Sequence, residues 1–170
     1  MSIVIATALL LAGAETGADK FAPGGFIDTI RLDGAGKVTG CSEEAVGSVT
    51  HPQTLLCSPF GSQEALDHWL GGQLRGLSSL RLRMLFTPAA ADGKPPAAPA
   101  GGTLNMTLAS LRLTFDRTGK QSACTVEFQV PDFIGQAACD KGRESPQPIE
   151  ADPQGPEARQ AWLIFDVIGK

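Results

Sequence analysis

The chain has 170 residues, 42% of them apolar, with 14 Lys plus Arg against 18 Asp plus Glu for a formal net charge of -4. That is enough apolar material for one core or two small ones, while the lack of any clustered Lys/Arg run argues against nucleic acid or an anionic membrane surface as a partner. Tyrosine is absent and the aromatic residues are 8 Phe and 2 Trp, poor material for a base-stacking platform.

The N-terminus is apolar from Ile3 and then reads Ala12-Gly13-Ala14, the small-x-small spacing that a signal peptidase accepts. The run falls short of the about 20 residues a spanning helix needs. A cleavable signal peptide over residues 1–14 is the expectation; the same Ile/Val/Ala/Leu composition leaves open an N-terminal strand of a cytosolic protein or a short anchor.

Ile30 and Leu32 alternate with Arg31 and Asp33, and Asp33-Gly34-Ala35-Gly36-Lys37 supplies the glycines of a tight reversal before Val38, so a hairpin is expected here. Leu66, Trp69, Leu70 and Leu74 follow helical spacing behind a Ser62 cap, with Gly71 and Gly72 weakening the end. Leu80, Leu82, Met84 and Phe86 then alternate as a strand that Pro88 ends. The Pro/Ala/Gly stretch Pro88 to Gly102 is a loop separating two lobes or two halves of one sheet.

Leu104, Met106 and Leu108 occupy even positions, whereas Leu111, Leu113 and Phe115 occupy odd ones. The apolar face switches sides, which predicts a bulge or break near Ala109 and Ser110, where one strand runs into another. A second hairpin follows, turning at Asp116 to Lys120 and placing Cys124, Val126, Phe128 and Val130 on one face. A short helical turn is expected over Phe133 to Gly142, and Ala161 to Ile168, apolar on both faces, reads as a central strand or one under a helix.

The two hairpins say the same thing twice: Asp33, Gly36-Lys37 and Cys41 recur as Asp116, Gly119-Lys120 and Cys124, 83 positions later. Cys41 is followed by Cys57 and Cys124 by Cys139, at separations of 16 and 15, with no C-x-x-C pair. Two short-range disulfides in an oxidising compartment are therefore the better reading, with four buried free thiols as the alternative. Each bridge would contribute roughly 3 kcal/mol.

These residues resemble the TonB C-terminal domain family in a disulfide-bearing version. The family pattern is a strand, a D-x-x-G-x-V turn, a Cys, a short helix with a second Cys, and an F-x-P-A-x-x-x-G-x-P motif before a final strand. The first copy offers Asp33 to Cys41, Cys57 and Phe86 to Pro95; the second offers Asp116 to Cys124, Cys139, Pro148 to Pro156 and the strand ending at Ile168. Together they cover most of residues 26 to 168. A long insertion separates Cys57 from Phe86, and the second copy lacks the Phe before its Pro motif. The resemblance implies an α+β fold of two hairpin, short helix and strand repeats over 21–102, with a helical insertion, and 103–170. It also implies antiparallel sheet with helices on one face, and a recruiting role without the transmembrane helix or long Pro-rich spacer of an energy transducer.

Catalytic motifs fail on specific counts. Gly34 to Gly40 has Arg31 where a phosphate loop needs its first Gly and Val38 where it needs Ser or Thr, so it reads as a turn. Phe60 to Glu64 lacks the second glycine of a nucleophile elbow, and its serine reads as a helix cap. His51 and His68, the two histidines, form no H-E-x-x-H arrangement. Asn105 to Thr107 matches a glycosylation acceptor but lies in a predicted strand and reads as structural. The expectation is a non-catalytic module of the bacterial periplasm, or a secreted one, with no cofactor or metal. It would bind a protein or peptide, such as an outer-membrane receptor or a cell-wall component, by strand addition. A structural envelope protein without a peptide ligand and a small secreted enzyme are the alternatives.

Overall fold

The computed structural model describes residues 21–47, 57, 60–131, 133, 135–144, 149 and 151–170. The signal-peptide expectation for 1–14 and His51 lie outside them. The elements run β1 (Gly24–Leu32), β2 (Val38–Gly47), α1 (Gln63–Leu70), β3 (Ser79–Pro88), β4 (Leu104–Phe115), β5 (Gln121–Gln129), α2 (Gly135–Glu144) and β6 (Arg159–Gly169). The order hairpin, helix, strand thus occurs twice.

Each hairpin begins from the same turn chemistry. Asp33 Oδ1 accepts from the backbone N–H of Ala35 at 2.9 Å and of Lys37 at 2.8 Å. Asp116 Oδ1 does the same for Thr118 and Lys120, at 2.8 and 3.1 Å. Gly36 and Gly119 take φ of 85° and 80°, a region that side-chain-bearing residues disfavour. The repeated Asp-x-x-Gly-Lys is therefore one turn written twice.

The helix between hairpin and third strand follows its expected cap and stripe. Ser62 Oγ accepts from the Ala65 N–H at 3.3 Å, Leu66 and Leu70 are buried, and a one-turn 3-10 extension (Gly71–Leu74) seats Leu74. In each copy a disulfide clamps the second strand to the segment beyond it: Cys41–Cys57 with Cα atoms 5.8 Å apart and Cys124–Cys139 at 5.5 Å. Both expected pairings are present.

All six strands form one antiparallel sheet in the order β2-β1-β3-β6-β4-β5. The copies meet at β3 and β6, where Met84 stands opposite Phe165. Ile30 pairs with Leu80 in the first copy as Leu113 pairs with Ala161 in the second, which makes Met84 and Phe165 counterparts. An approximate two-fold axis therefore passes between them. Leu66, Leu70 and Leu74 share one core with Ala138 and Cys139, so both helices cover the same face. Phe133 of the second copy packs on Trp69 of the first, ring centroids 4.9 Å apart, and on Phe165 at 5.2 Å. The halves belong to one sheet with one core.

Three expectations are corrected. The switch in apolar parity does not mark a junction: β4 is one strand, and a bulge between Thr107 and Ala109 admits Leu108 as an extra residue. Leu108, Ala109, Leu111 and Leu113 all reach the same core, because the added residue restores the parity that plain alternation would lose. A second bulge, between Ser110 and Leu111 in the pairing with β5, places Phe128 opposite Ser110; Phe128 leaves the face of Cys124 and Val126 and is 49% exposed. Finally, the stretch between Cys57 and Phe86 holds α1 and most of β3, which match α2 and β6. The first Pro-rich motif begins within the end of the copy's last strand, at Phe86 to Pro88, rather than preceding that strand.

That Pro-rich loop has its own task. β3 and β4 flank β6 and both run antiparallel to it, so residues 89–103 must return along the sheet's length. They do so over the face opposite the helices. Pro99 is buried, and Pro96 and Ala97 line a cavity of about 320 Å3 with Arg83, Ile164 and Asp166. Ile27, Trp162, Ile164 and Ile168 are buried outside the helix-side core, which explains why β6 reads as apolar on both faces.

Candidate functional site

The strand order leaves β2 and β5 as the outer strands. No residue of β2 is fully buried, and Gln121 is the one buried residue of β5. Among the described residues, neither strand makes a backbone–backbone hydrogen bond beyond its inner neighbour, although at the start of β2 the Val38 N–H donates to Gln63 Oε1. An outer strand in that condition presents unpaired N–H and C=O groups in a row. On β5 the row lies beside exposed Phe128 and beside Glu127, whose carboxylate meets Arg112 at 2.6 Å.

A second polar feature sits at the seam. Asp166, 3% exposed, takes the Arg83 guanidinium at 2.7 Å and the Thr107 hydroxyl at 2.9 Å. One carboxylate thus ties β3, β6 and β4 together on the loop-covered face. Thr107 is hence structural, as is Asn105, whose amide donates to the Gly102 carbonyl at 2.6 Å. A shallow, mostly polar cavity of about 650 Å3 opens between the β1–β2 turn and the end of α1. Gln63 spans it, donating to Gly36 O and Asp67 Oδ1 while accepting from the Val38 N–H.

The third feature went unread in the sequence. Asp28 and Glu43 stand opposite each other across β1 and β2, on the helix side where Cys41 also lies. Asp28 is fully buried, with the Glu43 side chain as its polar neighbour. Burial, and then the nearby Glu43 carboxylate, raise its pKa from 3.8 to about 7. A carboxylate oxygen of Asp28 and the sulfurs of Cys41 and Cys57 lie within 4.8 Å of one another. That donor set would suit a thiophilic cation only as thiolates; joined as a disulfide, the sulfurs are not such ligands. The signal for this pair was Asp28 itself, a charge on the strand face that otherwise carries Phe26, Ile30 and Leu32.

Of the sequence-derived candidates, Cys41, Cys57, Cys124 and Cys139 are brought together in their two pairs. His68 is exposed on α1 away from the Leu66–Leu70 stripe, and Ser62 is a cap. No helix among the described residues is long and apolar enough to cross a membrane. Comparison with known proteins found no matching family model, no matching curated protein and no matching solved structure.

Proposed function

We propose that this chain is a non-catalytic periplasmic protein-interaction module, of the kind implied by its resemblance to the TonB C-terminal domain, and that it takes up an extended partner segment along β5. The observation that carries the reading is that β5 is an outer strand whose far edge is unpaired among the described residues, beside exposed Phe128. Strand addition satisfies the free backbone groups of both chains, and alternate side chains of the added segment read the surface. Phe128 supplies the apolar contact, and the Arg112–Glu127 pair beside it supplies polar ones. The disulfides suit an extracytoplasmic setting, where envelope proteins offer such segments.

The test is capture of envelope proteins on the immobilised oxidised chain, followed by amide exchange of the chain with the captured partner. Protection confined to β5, and loss of capture in Phe128→Lys, are expected. Protection that maps to another element, or capture indifferent to Phe128, would sink the reading.

A further inference from the structure

Internal duplication gives each residue of the first copy a reference position in the second. Cys41–Cys57 corresponds to Cys124–Cys139. The pair facing each other beside the first bridge is Asp28 and Glu43; at the same register beside the second it is Leu111 and Val126. The shared fold therefore does not require carboxyls there. Leu111 is fully buried, and an apolar pair is what such a site accepts without cost, whereas buried carboxyls are expensive unless partnered. The bridges differ in cover at one end: Cys41, Cys57 and Cys124 are half-buried, while Cys139 has no exposure.

We propose that Cys41–Cys57 is a redox-active bridge that exchanges with protein dithiols, and that Asp28 hands its proton to the sulfur released. The geometry is the 4.8 Å cluster of Asp28 oxygen and both sulfurs. The reductant's thiolate attacks Cys57 Sγ, forming a mixed disulfide; the bond to Cys41 breaks and its electron pair stays on Cys41 Sγ. The Asp28 carboxyl protonates that sulfur and becomes a carboxylate. The reductant's second thiol, having lost its proton to solvent, attacks its own sulfur in the mixed disulfide. The reductant leaves as a disulfide, Cys57 departs as a thiolate, and solvent reprotonates Cys57 and Asp28. Two electrons pass from the dithiol to the bridge.

Burial keeps Asp28 in the acid form a donor needs, since its carboxyl titrates near 7. Its cross-strand partners are Glu43 on β2 and the apolar Leu82 on β3, so burial first and the Glu43 carboxylate second keep the proton on Asp28. A leaving thiolate against the sheet is a poor leaving group; protonation as it departs removes that penalty. Cys124–Cys139, with Leu111 and Val126 in those places, has no such donor and acts as a structural staple.

The oxidised full chain would be treated with dithiothreitol across a pH series, and the opening of each bridge followed by differential alkylation and mass spectrometry. Cys124–Cys139 in the same sample corrects for the reagent's own ionisation. The rate ratio of the first bridge to the second is expected to be on the order of 100 in mild acid, falling as pH rises through about 7. Asp28→Asn keeps the shape but cannot donate, and Asp28→Leu reproduces the second copy's residue. Both should lower the ratio by about 100-fold and flatten its pH profile. A wild-type ratio that does not change with pH, or variants that open Cys41–Cys57 as fast as wild type, would overturn the assignment.

Discussion

At the scale of single residues, Asp28 makes the sharpest demand on the fold. Its folded pKa, about 7, lies above the ordinary 3.8, so between those values the folded chain holds a proton that the unfolded chain releases. Stability from this group is therefore fully present below about pH 4 and is lost as pH rises through about 7. The shift corresponds to about 4 kcal/mol when the group is as buried as Asp28. The double variant Asp28→Leu/Glu43→Val, which copies Leu111 and Val126, should have a higher urea midpoint than wild type at about pH 8 and a similar one near pH 4. Equal wild-type and variant midpoints at both pH values would contradict the linkage. A reader of the sequence sees Asp28 as one charge in a strand. Only the pairing with Glu43, and the duplicate register that puts Leu111 in its place, reveals how unusual it is.

At the scale of elements, the hairpins and α1 were legible because their signals are local. Asp33 and Asp116 bind backbone N–H groups two and four residues ahead, and Ser62 binds three ahead, so spacing alone carries the information. The bulge near Ala109 was legible as a switch of parity, but what it joins was not, because that depends on which strands flank β4. Parity in Leu104 to Phe115 announced an irregularity, but its meaning as one continuous strand came from β6, far along the chain. Phe128 was misassigned for the same reason: an extra residue at the Ser110/Leu111 step changes the face without a local mark. In the first turn, a Cβ at Gly36 would lie 2.9 Å from Leu74 Cβ. Gly36→Ala combines a left-handed φ of 85° with that contact and should cost about 2 kcal/mol, measurable as a lowered urea midpoint. An unchanged midpoint would mean that the turn relaxes away from α1 without penalty.

At the scale of the whole molecule, the duplicate halves are welded by β3 and β6 rather than linked by a hinge. Met84 and Phe165 lie on the helix side of that seam, and Arg83 and Asp166 on the loop side. The Pro-rich loop left open whether it separates two lobes or two halves of one sheet, because composition cannot show that its ends lie on either side of β6. Since Asp166 also holds Thr107 on β4, loss of Arg83 leaves a buried carboxylate short of its cation at the joint of three strands. Arg83→Leu should cost about 3–5 kcal/mol, whereas Arg83→Leu/Asp166→Leu should recover most of that loss, because two apolar side chains at the seam leave no uncompensated charge. If the halves share one cooperative unit, amides of β1 and β4, one in each copy, should gain exchange rate by the same factor in Arg83→Leu. Acceleration of one copy's amides alone would mean that the hairpins melt independently, and that the shared Phe60–Phe133–Phe165 aromatic core does not couple them.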